Sequence, residues 1–538
     1  MIRPIRVILR VSSTSFMAGP PDAVRSPREC LHHQPFSMKT LSLLLLTLCL
    51  AVTGRAGVTL PAVFSDHMVL QSDLSNPVWG WAAPGEQVTV SIGGQTQTTT
   101  TGSDGKWSVK LAGLTSGEAL TMTVQGTNTL TVQDVLIGEV WLCSGQSNMA
   151  WKVPQAQNFG KEQPAANHPA LRMFYEASGG AGEPQSQGRG QWLVCSPGTI
   201  ASFSATAYFF GRHLHQELGK PVGLVVSCVG GTPIESWISP EAQRTLPEMK
   251  ARFDSLDAVM KRYDPVTAKA AKEKEIAGWK EAVAKAKAEG TQAPNPPNPN
   301  TDPRTSGPGN LFNGKIAPLV GYGIRGAIWY QGESNAFTVD GGKLYAKQLP
   351  LLIEDWRTRW GRGDLPFAWV QLPNFHNERF LGWREVRESM LKTLTVPNTG
   401  MAIALDLGES TNIHPQNKQE VGRRLGLWAM ARVYDRDLPF SGPLPAGHEV
   451  QGSEIVVRFD HADGLQAKGG GEVTGFQIAG EDKQWHTAKA RIDGGRVIIS
   501  SPDAPHPVAV RYAWEDDPKF NLYNGADLPA SPFRTDDW

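Results

Sequence analysis

The 538-residue chain has no excess charge of either sign: 52 Lys and Arg stand against 52 Asp and Glu. That balance removes the basic stripe on which nucleic-acid binding depends, so nucleic acid is not expected as a partner. Cysteine is scarce, with five in all, which excludes a disulfide scaffold. The central region holds no HExxH, no CxxC and no His pair at ligand spacing, so neither a metal nor a cofactor is expected. Long apolar runs are missing too. The longest, residues 41–52, falls short of the roughly 20 residues that span a bilayer.

That run follows Lys39 and precedes the small residues Thr53, Gly54, Ala56 and Gly57, the pattern of a secretory leader beginning at Met38. Residues 1–37 are Arg- and Pro-rich, lack an apolar period and read as an upstream extension, so 1–57 is assigned to extension and signal peptide. Residues 1–56 hold seven Lys and Arg and two Asp and Glu, so the remainder carries a net charge of −5. Cys30 and Cys49 leave with the leader. Cys143, Cys195 and Cys228 lie in apolar contexts and are expected as buried free thiols. The expected product is exported, periplasmic or extracellular, with no membrane span.

What is present is a change of period along the chain. Residues 58–135 alternate with a period of two, as in Val88, Val90 and Ile92 and again in Trp107, Val109 and Leu111, and predict a β-sandwich domain. From 136 to 435, apolar runs at 139–142, 221–228, 326–330, 366–372 and 401–405 alternate with helical stretches at 203–218, 344–360, 379–394 and 416–433. That is a βαβ series, predicting an α/β domain with a mainly parallel, doubly wound sheet of about five strands. Residues 240–310 interrupt it with an Ala/Lys/Glu-rich helical pair and a Pro/Asn-rich tail, expected as a solvated insertion or a lid. Alternation returns over 436–538 and predicts a C-terminal β-domain.

In an open α/β sheet, ligands bind beyond the carboxyl ends of the strands. Ser147, with Asn148 beside it, follows Gly145 after the first run, a setting in which a tight turn exposes a hydroxyl as a nucleophile or a Ser simply caps a helix. Gly230 and Gly231 after the second run, followed by Glu235, allow close backbone approach and an oxyanion N–H, or form a plain turn. Gln331, Glu333 and Asn335 follow the third run, and the two amides suit a developing oxyanion or simply hydrogen-bond the loop. His376 follows the fourth run. Asp406 and His414 follow the fifth, where His414 is the stronger candidate base.

At these residues the sequence resembles the bacterial sialate O-acetylesterase family of the SGNH hydrolase superfamily. The resemblance runs through VFSDHMVLQ (63–71), GEVWLCSGQSNM (138–149), PVGLVVSCVGGTPIESW (221–237), GAIWYQGESN (326–335), NIHPQNKQEVGRRL (412–425) and NLYNGADLPASPFRTD (521–536). It implies a flavodoxin-like three-layer hydrolase domain, flanked by N- and C-terminal β-sandwich-type domains, that hydrolyses acetyl esters on sugars. It places Ser147 as nucleophile, His414 as base, and Gly231 with Gln331 or Asn335 at the oxyanion. Gly230, Glu333, Asn148, Glu235 and His376 are then expected as substrate contacts. One departure stands out: Thr411 occupies the position, three before His414, where many SGNH enzymes place Asp. Asp406 is the first choice to orient His414, then Glu333 and Glu409, with a Ser–His dyad as the alternative.

The reading is therefore an exported carbohydrate O-acetylesterase acting on an acetylated sugar, with sialate as the first substrate and acetylated xylan or another plant polysaccharide as the second. A sialate enzyme would place a cation in the cleft, with Arg379 and Arg384 as candidates. A different class remains open: a non-catalytic carbohydrate-binding protein on a hydrolase-like scaffold, which 17 Trp and two flanking β-domains would suit.

Overall fold

The computed structural model describes residues 57–538. The upstream extension and leader lie outside them. The chain opens with short strands whose buried residues alternate: β1 (Val69–Gln71), β2 (Asn76–Trp81), β3 (Gln87–Ile92), β4 (Gln95–Thr100), β5 (Lys106–Leu111) and β6 (Leu120–Gln125). Val88, Val90, Ile92, Trp107, Val109 and Leu111 all point inward, as a pleated strand with one solvated face requires. β3 pairs with β4 and β6, and β2 pairs with β5.

β7 (Thr129–Gly145) then crosses the expected boundary at 135/136 without a break. Its first half pairs antiparallel with β6, and its second half pairs in parallel with the central sheet. One strand thus belongs to both β-region and central sheet, because buried residues run on from Val135 to Cys143, Glu139 included, with no turn-forming cluster between them.

The central strands are β8 (His168–Tyr175), β9 (Trp192–Cys195), β10 (Val222–Cys228), β11 (Gly326–Tyr330), β12 (Phe367–Gln371) and β13 (Thr399–Ile403). Their order is β13-β12-β11-β7-β10-β8-β9. All neighbours are parallel except β8 and β9. Strands β7, β10, β11, β12 and β13 are the five expected from sequence, and among themselves they take the flavodoxin-like order. β8 and β9 were not expected. β8 carries Pro169 and a buried Arg172, which interrupt its apolar period, and β9 has only four residues. Arg172 is tolerated inside because its guanidinium reaches the Asp134 carbonyl and carboxylate at 2.5 and 3.0 Å.

Helices cover both faces: α1 (Ser147–Ala150), α2 (Ala205–Leu218), α3 (Lys250–Met260), α4 (Pro265–Glu289), α5 (Val339–Arg359), α6 (Trp383–Lys392) and α7 (Lys418–Arg432). α2 packs against α7, and α5 against α6. Within the insertion, α3 buries Phe253, whereas α4 buries only Ala286 and is otherwise solvated. Beyond 440 the chain forms two four-stranded antiparallel sheets. Cys143, Cys195 and Cys228 are free and buried. Among the described residues no helix is long and apolar enough to cross a membrane.

Candidate active site

The site forms where β7 ends, at the point where the strand order reverses and the loops on either side diverge. Gly145 closes β7 with φ of 137°, and a Cβ there would lie 2.1 Å from the Tyr330 carbonyl oxygen, so only glycine lets β7 and β11 stay paired to their ends. The chain then turns at once into α1. This turn leaves the Ser147 side chain half-exposed at the rim while Gln146 and Asn148 on either side are buried.

His414 arrives from a loop 267 positions away, and its Nε2 lies 2.8 Å from Ser147 Oγ. Trp151 stacks on the imidazole, with ring centroids 4.4 Å apart and an interplanar angle of 19°. The loop is pinned on every side. Asn412 Oδ1 accepts from the His414 N–H at 3.0 Å, and Glu409 in turn accepts from Asn412 Nδ2 and from the Gln416 N–H. Asn148 Nδ2 donates to the Ile413 carbonyl at 3.0 Å, and Lys418 Nζ to the Pro415 carbonyl at 2.7 Å. The carbonyls on both sides of His414 are therefore held by buried donors.

Asn148 links this loop to a buried pair of charged side chains. Its Nδ2 also donates to Glu333 Oε1 at 2.5 Å, and its Oδ1 accepts from Lys418 Nζ at 2.6 Å. Burial raises the Glu333 pKa above the usual carboxylate value. Burial pushes Lys418 down to about 7, against the pull of Glu333 and Glu409. His414 is lowered from 6.5, first by burial and then by the Lys418 charge.

The structure does not bring Asp406 to His414. The Asp406 carboxylate forms a two-pronged ion pair with Arg424, at 2.6 and 2.8 Å. Glu409 braces the loop backbone, and Glu333 is held by Asn148. Among the described residues no carboxylate oxygen lies within salt-bridge reach of the imidazole, so the site holds a Ser–His pair without a third acid.

Gly230 lies against Ser147: a Cβ added there would be 3.4 Å from the Ser147 Cβ. Gly231 has φ of 70° and faces open space. The N–H groups of Gly230 and Gly231 have no acceptor among the described residues. The side-chain amides expected beside them are otherwise engaged. Gln331 Nε2 points to Asn335 Oδ1, Gln146 Oε1 and the Thr232 carbonyl at 2.8–3.2 Å. Asn335 Nδ2 donates to Glu235 Oε2 at 3.1 Å and to Gln348 Oε1 at 3.5 Å, while its Oδ1 also accepts from the Ile234 N–H. Neither amide has a hydrogen left for an oxyanion. Both stiffen the glycine loop from behind. The amide nitrogen in this cluster without an acceptor among the described residues is Gln146 Nε2.

Glu235 is likewise committed, to Asn335 and to Arg252 on α3. His376 is exposed and sits apart from Ser147, in a cavity of about 460 Å³ with Arg384, Ser410, Thr411 and 515–517. Its backbone N–H reaches the Ser410 carbonyl, which places this cavity beside the His414 loop. Gln146, Trp151 and Lys418 were missed by sequence reasoning. Lys418 did carry a signal: a cation in the first turn of a helix opposes the helix dipole, and such a local conflict often marks a functional position.

Taken together, the pieces suit acyl transfer: a hydroxyl against a neutral imidazole, beside unpaired backbone donors. Comparison with known proteins agrees. The family model for carbohydrate esterases of the sialic acid-specific acetylesterase type (SASA) matches residues 137–275 and 314–432, leaving out most of α4 and the Pro-rich tail. Sialate O-acetylesterase of Rattus norvegicus is 31% identical over 92% of this chain and 98% of its own length. That of Homo sapiens is 29% identical over 91% and 95%. Among solved structures, a carbohydrate acetylesterase from Xanthomonas citri matches with a TM-score of 0.75 and 37% identity, covering 89% of this chain and 100% of that one. With a relative above 30% identity aligned along nearly its whole length, the chain belongs to the sialate O-acetylesterase family and is a carbohydrate esterase.

Proposed function

We propose that this esterase removes acetyl groups from sugar hydroxyls through Ser147 and His414. The observation that carries the reading is the 2.8 Å contact between Ser147 Oγ and His414 Nε2. His414 Nε2 takes the hydroxyl proton as Oγ attacks the acetyl carbonyl. The N–H groups of Ser147, Gly230 and Gly231 receive the oxyanion, with the unengaged Gln146 amide as the side-chain donor in place of Gln331 or Asn335. Collapse of the tetrahedral intermediate breaks the ester C–O bond, and the imidazolium returns its proton to the departing sugar oxygen. Water, deprotonated by the same imidazole, then releases acetate from Ser147. Each oxyanion donor should be worth about 2.7–4 kcal/mol of barrier.

The base must be neutral to act. Because burial and Lys418 lower the His414 pKa, kcat/KM should hold on acidification past the ordinary histidine value and fall only below it. Lys418→Met removes one of the two causes, so its acid limb should move to higher pH than the wild-type limb. A pH profile of kcat/KM on 4-nitrophenyl acetate measures this. A limb that stays in place would separate Lys418 from the titration of the base.

For the substrate, the names of the relatives favour O-acetylated sialic acid. A second reading, an acetylated neutral polysaccharide such as xylan, is favoured by the cavity beside the His414 loop. There the single guanidinium, Arg384, lies 3.6 Å from Asp516, and Glu515 and Asp517 add further negative charge. Such a wall repels a substrate carboxylate. Arg379 has no place in it. Acetate release from O-acetylated sialic acid and from acetylated xylan, measured side by side, decides between them: the larger kcat/KM names the substrate. The reading includes export through the leader at 38–56, checked by N-terminal sequencing of the protein recovered outside the cytoplasm. It sets aside a purely carbohydrate-binding role, for which a serine in contact with an imidazole would have no use.

A further inference from the structure

β2 and β5 form a two-stranded ribbon in which Trp79 lies opposite Ser108 and Trp81 opposite Lys106. Directly opposed residues share a face, and side chains two apart on a strand share it too. Trp79, Trp81, Ser108 and Lys106 therefore stand on one side. Val78 and Gly80, with Trp107 opposite, form the buried side. Trp79 packs edge-to-face on the buried Phe64, ring centroids 4.7 Å apart, and the rest of the indole side is left uncovered. Both indoles are half-buried and line a cavity of about 750 Å³, larger than the cavity beside the His414 loop. Residues 184–186 with Ala317, Pro318 and Val320 form another wall, together with Arg359. No residue of this cavity belongs to the Ser147–His414 site.

The chemistry of the walls is selective. Neither Trp79 nor Trp81 has an acceptor for its indole N–H among the described residues, although other tryptophans, such as Trp192 and Trp237, have one. The cations present are already neutralised. Arg359 pairs with Asp355 and Glu241, each at 2.9 Å, and Lys106 lies 3.8 Å from Asp104. A ligand here meets aromatic faces, free N–H donors, the Ser108 hydroxyl and the Gln185 amide, with little uncompensated charge. That combination suits a pyranose ring, whose C–H face stacks on an indole while its hydroxyls take the rim donors. The volume lies within the range of small-molecule sites.

We propose that this cavity is a second glycan site that holds a stretch of neutral oligosaccharide on Trp79 and Trp81, away from the serine, and so anchors a longer chain to the esterase. The inference rests on this cavity alone and does not depend on the role given to Ser147.

The test uses the full chain carrying Ser147→Ala, titrated with xylohexaose, cellohexaose and sialyllactose by tryptophan fluorescence and calorimetry. A neutral hexasaccharide should quench and shift the emission. Trp79→Ala/Trp81→Ala should weaken that binding by roughly tenfold or more, as loss of an aromatic anchor does. The same pair of substitutions in the Ser147 background should leave kcat/KM for 4-nitrophenyl acetate unchanged. Ser108→Tyr provides an independent variant: it fills the cavity from β5, the strand paired with β2, without removing core and should block the same binding. Absence of binding by both hexasaccharides, binding of sialyllactose alone, or neutral binding that survives both Ser108→Tyr and the double substitution would each overturn the proposal.

Discussion

Ser147→Ala should abolish ester hydrolysis while leaving the fold intact. Loss of a nucleophile that works as a unit with its base costs about 10⁴- to 10⁶-fold in kcat, or about 5.5–8 kcal/mol of barrier. The residue is well placed for so clean a separation. Its hydroxyl makes one hydrogen bond, to His414, and its side chain stands half-exposed at the rim. Removing one oxygen there leaves no cavity in the core and no buried polar group stranded, so the thermal midpoint should correspond to a change within about 0.5 kcal/mol. Turnover of 4-nitrophenyl acetate with a parallel unfolding scan reads both quantities. Activity near that of the wild type in a folded variant would transfer the nucleophile to another residue.

The second large effect separates a pair from a triad. His414→Gln keeps a hydrogen-bonding side chain but no general base, and should lower kcat by about 10³-fold or more. In a triad, neutralising the acid would cost about 10⁴-fold through loss of imidazole orientation. Here the loop does that work: Asn412 holds the His414 N–H, Asn148 and Lys418 hold the flanking carbonyls, and Trp151 covers the ring. Asp406→Asn should therefore spare kcat to within about tenfold and reduce stability instead, by about 3 kcal/mol, because it breaks a largely buried ion pair with Arg424. Unfolding midpoint and kcat measured on both variants give opposite patterns. If Asp406→Asn lost activity as His414→Gln does, with its midpoint unchanged, the carboxylate would have to act on the imidazole after all.

The contrast among these carboxylates shows where sequence reasoning stops. Asp406 stands at the end of the fifth expected strand, close in sequence to His414, and nothing local distinguishes it from an orienting acid. Its partner is settled by Arg424, which α7 presents from the other side of the His414 loop. Gln331 and Asn335 carry the right amides in the right loop, yet Glu235, Gln146 and the Thr232 carbonyl, from loops distant in sequence, take up their hydrogens. The cavity beside the His414 loop is composite in the same way, since residues 515–517 reach it from the far end of the chain.

By itself the sequence determined the period of each segment, the five central strands in their places, a hydroxyl and an imidazole in two such loops, and the family. Those follow from neighbours: apolar alternation, a glycine where β7 turns into α1, proline and asparagine where structure breaks. Only the tertiary structure decided that β7 serves both β-region and central sheet, that β8 and β9 extend the edge, and which polar side chains remain free to meet a substrate. A hydrogen bond saturates, and each donor or acceptor once engaged is withdrawn from catalysis. That engagement is fixed by groups tens or hundreds of positions away, brought together by the burial of the sheet.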